Sequence, residues 1–142
     1  MKIIGRKERI HLPDWGVKNI IAKVDTGAYT SSIHCSHIAV DDGGVLHFVV
    51  LDPSHKQYKN TVQQTSTYEV KKVTSSSGQS EMRYKVKTRV VIFEEEIEAE
   101  FTLTNRSEMK YPILLGRKLL KGRFLVDVSK MYLAKKSKRT AL

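Results

Sequence analysis

The chain has 142 residues, with 25 Lys and Arg against 15 Asp and Glu, a formal net charge of +10. That length suits one compact domain, and the 40% apolar share excludes general disorder. No run approaches the ~20 apolar residues of a spanning helix, and residues 1–6 lack a signal-peptide core, so a soluble, cytoplasmic protein is expected with no membrane partner. The single cysteine, Cys35, excludes an internal disulfide framework and a four-cysteine zinc site.

In chain order, residues 19–24 form a short apolar run that reads as a strand and ends on Asp25. Asp41-Asp42-Gly43-Gly44 is a turn signal before a β-rich run over 45–51. Residues 52–80 are the least regular. There the Ser-Gly stretch 75–78 lies between β-like arms at 68–73 and 81–86, which predicts a hairpin able to cover a cleft. Tyr84, Val86, Thr88, Val90 and Ile92 alternate with basic residues, and Ile97, Ala99, Phe101 and Leu103 alternate with acidic ones. This predicts two paired strands with cross-strand charge pairs, connected through Glu94-Glu95-Glu96. One helical stretch, 117–121, stops at Gly122, and 124–126 reads as a last strand. The pattern is all-β, barrel or sandwich, with one short helix. Residues 135–139 form a basic tail, set apart as 135–142 from a domain over 1–134.

Asp25-Thr26-Gly27-Ala28 is the most informative tetrapeptide. A carboxylate at a strand end sits at the rim of a core, and Gly27 permits a sharp turn. Downstream, Ile113-Leu114-Leu115-Gly116-Arg117 is an apolar triplet, a glycine and an arginine before the short helix. Together these resemble the two signatures of a retropepsin-like aspartic protease lobe. The likeness extends to the bacterial and archaeal branch often labelled an ATP-dependent zinc protease. It is carried by Ile10-His11-Leu12-Pro13-Asp14, Thr30-Ser31-Ser32-Ile33-His34, Ser75-Ser76-Ser77-Gly78, Thr102-Leu103-Thr104-Asn105-Arg106 and 122–127, and it covers residues 3–134.

The resemblance implies an acid-protease barrel with one short C-terminal helix. It implies an aspartic endopeptidase active as a homodimer, with Asp25 from each chain meeting at a two-fold axis. Two carboxylates about 3 Å apart share one proton and titrate as a unit. The ionised member would take a proton from water while the protonated one donates to the scissile carbonyl. By the same resemblance, Thr26 braces the pair, Gly27 and Ala28 contact substrate backbone, and Ser76, Ser77 and Gly78 form the tip of a flap. Leu115, Gly116 and Arg117 form the structural motif beside the catalytic loop. Tyr29 departs from the viral pattern, where an aspartate at that place pairs with the arginine; Arg117 must therefore find a carbonyl or another carboxylate.

Neither part of the zinc and ATP label is supported by the residues. Cys35 and His37 are expected on one side of a strand and His34 on the other, too few ligands for zinc. No phosphate-cradling Gly-Lys loop occurs. No cofactor or metal is expected. Members of this family accompany ATP-grasp glutamate ligases, so the resemblance suggests a peptide or acidic, glutamate-rich polypeptide substrate and a ligase system as partner. The positive charge suits a polyanionic chain. The alternative is a non-catalytic β-barrel module binding acidic polymers or RNA, but the dispersed aromatics form no stacking platform, so nucleic acid is not the expected partner. A third reading is a retropepsin-like fold that pairs for structural ends only.

Overall fold

A computed structural model describes residues 1–74, 77–106 and 110–134. It contains eleven strands and one short helix: β1 (Lys2–Ile4), β2 (Lys7–Leu12), β3 (Val17–Val24), β4 (Ser31–Val40), β5 (Leu46–Val50), β6 (Val62–Thr65), β7 (Glu69–Thr74), β8 (Ser80–Ile92), β9 (Glu95–Thr104), β10 (Ile113–Leu115), α1 (Arg117–Leu120) and β11 (Phe124–Val126). The strand order β10-β3-β2-β8-β9-β4 closes on itself because β10 also pairs with β4. The result is a six-stranded barrel, as the retropepsin resemblance implies. Closure leaves no free edge in the ring. β5 and β6 extend outward from β4, and β7 pairs only with β8. β1 and β11 form a separate parallel pair.

The alternating patterns explain the core. In β8 and β9 the apolar phase, including Val86, Val90, Ile97, Ala99 and Phe101, is buried while the charged phase faces out. The charged phase forms the expected ion pairs one step along the diagonal: Arg89 with Glu96 (2.8 Å), Lys87 with Glu98 (3.9 Å) and Lys85 with Glu100 (3.2 Å). The connection is tighter than the acidic run suggests. Only Phe93 and Glu94 form the turn, both with positive φ, and Glu95 and Glu96 already belong to β9. Two left-handed residues match the twist of the flanking strands, so the turn needs no third residue.

The stretch Pro13–Trp15 forms a single 3-10 turn that packs against β8 and β3. Asp14 accepts from Thr88 Oγ1 (3.0 Å), Arg89 N (3.2 Å) and two nitrogens of the Arg89 guanidinium (2.9 and 2.6 Å). Trp15 then packs edge-on against Phe48 at 5.6 Å between centroids. β10 lies between β3 and β4, parallel to one and antiparallel to the other, although β3 and β4 are consecutive in the chain. This insertion brings residues 25–31 against residues 114–118.

Candidate functional site

Asp25 follows β3 directly, and its backbone N–H donates to Leu115 O (2.9 Å), extending the β3–β10 pairing by one rung. The next three residues turn away from the strand. Ala28 N donates to Asp25 O (3.2 Å), and Gly27 N donates to the Asp25 carboxylate Oδ1 (3.0 Å). The carboxylate is thus oriented by its own loop. The loop is in turn held from behind by the first turn of α1. Arg117 N donates to Ala28 O (2.8 Å), Lys118 N to Tyr29 O (2.9 Å), and Gly116 N to Ser31 Oγ (3.0 Å).

Gly116 is required for that contact. A Cβ there would lie 2.7 Å from Tyr29 O and 2.8 Å from the Thr30 carbonyl carbon, both backbone atoms. Arg117 finds a carbonyl acceptor: its Nη1 donates to Thr26 O (2.9 Å). Its guanidinium also lies over the Tyr29 ring, 5.7 Å from the centroid. Tyr29, in place of an aspartate, therefore keeps the arginine on the loop through its π face rather than through an ion pair.

Above the loop, β7 and β8 form the expected hairpin, with Thr74 opposite Ser80. Ser76 lies outside the described residues. Ser77 and Gly78 form the tip, Gly78 with φ of +87°. Between hairpin and loop lies a cleft of about 580 Å³ whose lining includes Asp25, Tyr29, Lys71, Glu81, Arg83 and Arg106. Gln79 and Ser80 line the cleft from the hairpin; Leu115 is fully buried behind it. Lys71 sits 6.0 Å from the centroid of Tyr29, so the ring has a cation from the hairpin on one contact and one from α1 on another.

Arg106, which lines the cleft, is held through its backbone by His34, which is 4% exposed. Its Nδ1 accepts from Arg106 N (3.0 Å), so its proton is on Nε2, which donates to Asp52 Oδ2 at 2.5 Å. Ser54, through its hydroxyl and backbone N–H, and then His34 hold the Asp52 carboxyl below its ordinary value. Residues 34, 52 and 106 thus form one strut. The sequence motifs contained His34 and Arg106, but their contact links β4 to the end of β9 across 72 positions. Glu8 was missed outright. It is fully buried and accepts from Gly5 N and Ala134 N, both at 2.8 Å. Its signal was available: a carboxylate in the same alternation phase as Ile10 and Leu12.

His37 is exposed, has φ of +53° and sits where the β4–β5 register shifts, whereas Cys35 is fully buried. The expected shared side of a regular strand is therefore broken by a bulge. Burial pushes the Cys35 thiol well up, which makes it a poor nucleophile. Among the described residues, no three His, Cys, Asp or Glu side chains gather as a metal-holding group. No helix among them is long and apolar enough to cross a membrane.

A closed barrel with an inserted central strand, an Asp-Thr-Gly-Ala loop locked by a Gly-Arg turn, and a covering hairpin define a retropepsin-like fold. Residues 3–137 match the family described as retropepsin-like aspartic endopeptidase RimB, and the chain belongs to that family. It is 36% identical over 128 residues to a probable alpha-L-glutamate ligase of Parasynechococcus marenigrum, covering 88% of this chain and 28% of the relative. A probable alpha-L-glutamate ligase of Shewanella pealeana is 35% identical over 133 residues, covering 92% and 29%. The chain therefore spans less than a third of the length of these relatives. A crystal structure of a Legionella pneumophila protein of unknown function (DUF785) superposes with a TM-score of 0.72 at 26% identity, covering 93% of this chain and 97% of that one.

Proposed function

We propose that this chain is an aspartic-type endopeptidase that works as a homodimer, each copy contributing Asp25 to a shared, proton-sharing pair. The observation that carries the reading is the Asp25 loop itself. Its carboxylate is oriented by Gly27 N, its backbone is fixed by four contacts from residues 115–118, and it opens into the cleft beneath the hairpin. A rigid carboxylate facing a cleft is what water activation needs, and a second one from a partner supplies the acid. In this reading Thr26 braces the pair and Gly27 and Ala28 meet the substrate backbone. Ser76, Ser77 and Gly78 close over it.

The substrate class follows from charge. Lys71, Arg83 and Arg106 line the cleft, which favours an acidic polypeptide. The relatives named as glutamate ligases support the same choice, and they support work beside an ATP-grasp ligase that builds such acidic chains. The proposed reaction is the hydrolytic one, and the chain spans less than a third of those longer relatives.

Replacing one carboxylate oxygen tests the chemistry directly. Asp25→Asn is expected to lower turnover of a glutamate-rich peptide by at least ~10³-fold, leaving fold and oligomeric state unchanged. Cleavage that survives this change would end the proposal. A variant and a wild type that both bind the peptide without cutting it would favour the binding-module reading, for which the cationic cleft is the observation.

A further inference from the structure

The cleft already contains a carboxylate that the proposed chemistry does not use. Glu81 lies on the cleft side of β8, two positions from Arg83, whose Nε bonds its Oε1 at 2.5 Å. The two partners differ in burial. The Arg83 side chain is 12% exposed, whereas that of Glu81 is 55% exposed. The cation is therefore built into the wall, and the anion rests on it from the solvent side.

A second guanidinium faces the same spot. Arg106 lines the cleft with Glu81 and Arg83, and together with Arg83 it holds the Glu81 carboxyl below its ordinary value, Arg83 giving the larger effect. The Arg106 backbone is pinned to buried His34, so the base of this side chain is anchored. Lys71 stands opposite Arg83 in the hairpin register, on the same face. Two guanidiniums thus act on one exposed carboxylate, with Lys71 across the hairpin from Arg83, in the cleft that also contains Asp25.

We infer that Arg83 and Arg106 form a carboxylate-binding seat for an acidic side chain of a bound polypeptide, and that Glu81 occupies this seat in the free chain as a built-in competitor. The inference rests on the cleft being a peptide-binding site, as proposed above. Its physical basis is an exchange. An Arg–carboxylate bond of the protein is traded for an equivalent bond to the ligand, so no buried guanidinium is left unpaired at any stage. A peptide with neutral side chains has nothing to offer in that exchange and leaves Glu81 in place. The resident carboxylate thereby lowers the apparent affinity for acidic chains by its own occupancy and leaves that for neutral chains unchanged.

The test reads binding, not cleavage. In the full chain carrying Asp25→Asn, fluorescein-labelled hexa-L-glutamate is titrated and followed by fluorescence anisotropy at low salt. Hexa-L-glutamine is the neutral control. Glu81→Gln is expected to tighten hexaglutamate binding roughly 5-fold. Arg106→Gln is expected to weaken it about 10-fold, and neither should alter hexaglutamine binding. Glu98→Gln makes the same change in net charge on an exposed carboxylate paired with Lys87, outside the cleft. Equal tightening by Glu98→Gln would reduce the effect to overall charge and overturn the seat. So would unchanged or weaker binding in Glu81→Gln, or no hexaglutamate binding by any variant. Thermal melts confirm that each surface substitution leaves the fold intact. Failure of the seat leaves Asp25-dependent cleavage of other peptides standing. Loss of cleavage leaves the seat measurable, so the two ideas fall separately.

Discussion

Gly116 sets the tolerance of the whole site. Its φ is −92°, so alanine would meet no conformational penalty there. The obstacle is space: two backbone groups, at Tyr29 and Thr30, lie within 2.9 Å of where the new methyl would go. Backbone cannot rotate out of the way as a side chain can. Gly116→Ala is expected to destabilise the chain by about 1–3 kcal/mol in urea unfolding, because the loop must shift or the Arg117 N–H contact must break. Wild-type stability in that variant would mean the two segments are further apart than described. Tyr29 shows the opposite situation. The residue is 52% exposed, so it is retained at the cleft by its cation contacts rather than by burial.

Between elements, carboxylates act as anchors more than as catalysts. Asp14 ties the 3-10 turn to β8, and Asp52 ties its own loop to β4 through His34. Arg89 chiefly holds the Asp14 carboxyl below 3.8, and Ser54 chiefly does so for Asp52. A carboxyl depressed in the folded state contributes stability that is complete above its unfolded value and is lost as pH falls through the lower, folded one. From these groups the melting temperature is expected to hold down to about pH 4 and to drop below it. Asp14→Asn should lie lower at neutral pH and show a shallower acid limb. An unchanged acid limb in a chain melted across pH 2–5 would remove Asp14 from the account. The partial exposure of the Asp14–Arg89 pair keeps its share modest, since solvent screens it.

For the whole molecule, the homodimer proposed above requires a face on which two copies can meet. Ile3 and Leu125 are directly opposed in the β1–β11 pair, and both are exposed. Met1, Val128 and Met131 are exposed as well. The chain enters β2 beside Val24, at the end of β3 from which Asp25 emerges, because Val24 N donates to Arg6 O. An apolar face near that end suits a second copy that must bring its own Asp25 close. Leu125→Glu is expected to leave the monomer fold within about 0.5 kcal/mol, since the side chain is already in water. It should convert the proposed dimer to monomer in light scattering and abolish peptide cleavage. Cleavage by a demonstrably monomeric Leu125→Glu chain would refute the shared-dyad arrangement.

The sequence by itself determined the elements whose signal is local. Alternation predicted β8 and β9 and their charge pairs, the Ser-Gly stretch predicted the hairpin, and Gly122 with φ of +77° follows α1, which ends at Leu120, one residue short of the expected 117–121. The two short motifs indicated the fold family, because a loop glycine and a helix-leading Gly-Arg each carry their requirement in one or two residues. Tertiary structure alone decided what those motifs touch. The acceptor of Arg117, the strut from Asp52 through His34 to Arg106, and the buried Glu8 joining residues 5 and 134 are contacts between segments 18 to 126 positions apart. Periodicity fixes which face a residue occupies. It does not say which distant segment faces it, because that depends on the closure of the barrel and the insertion of β10 between two consecutive strands.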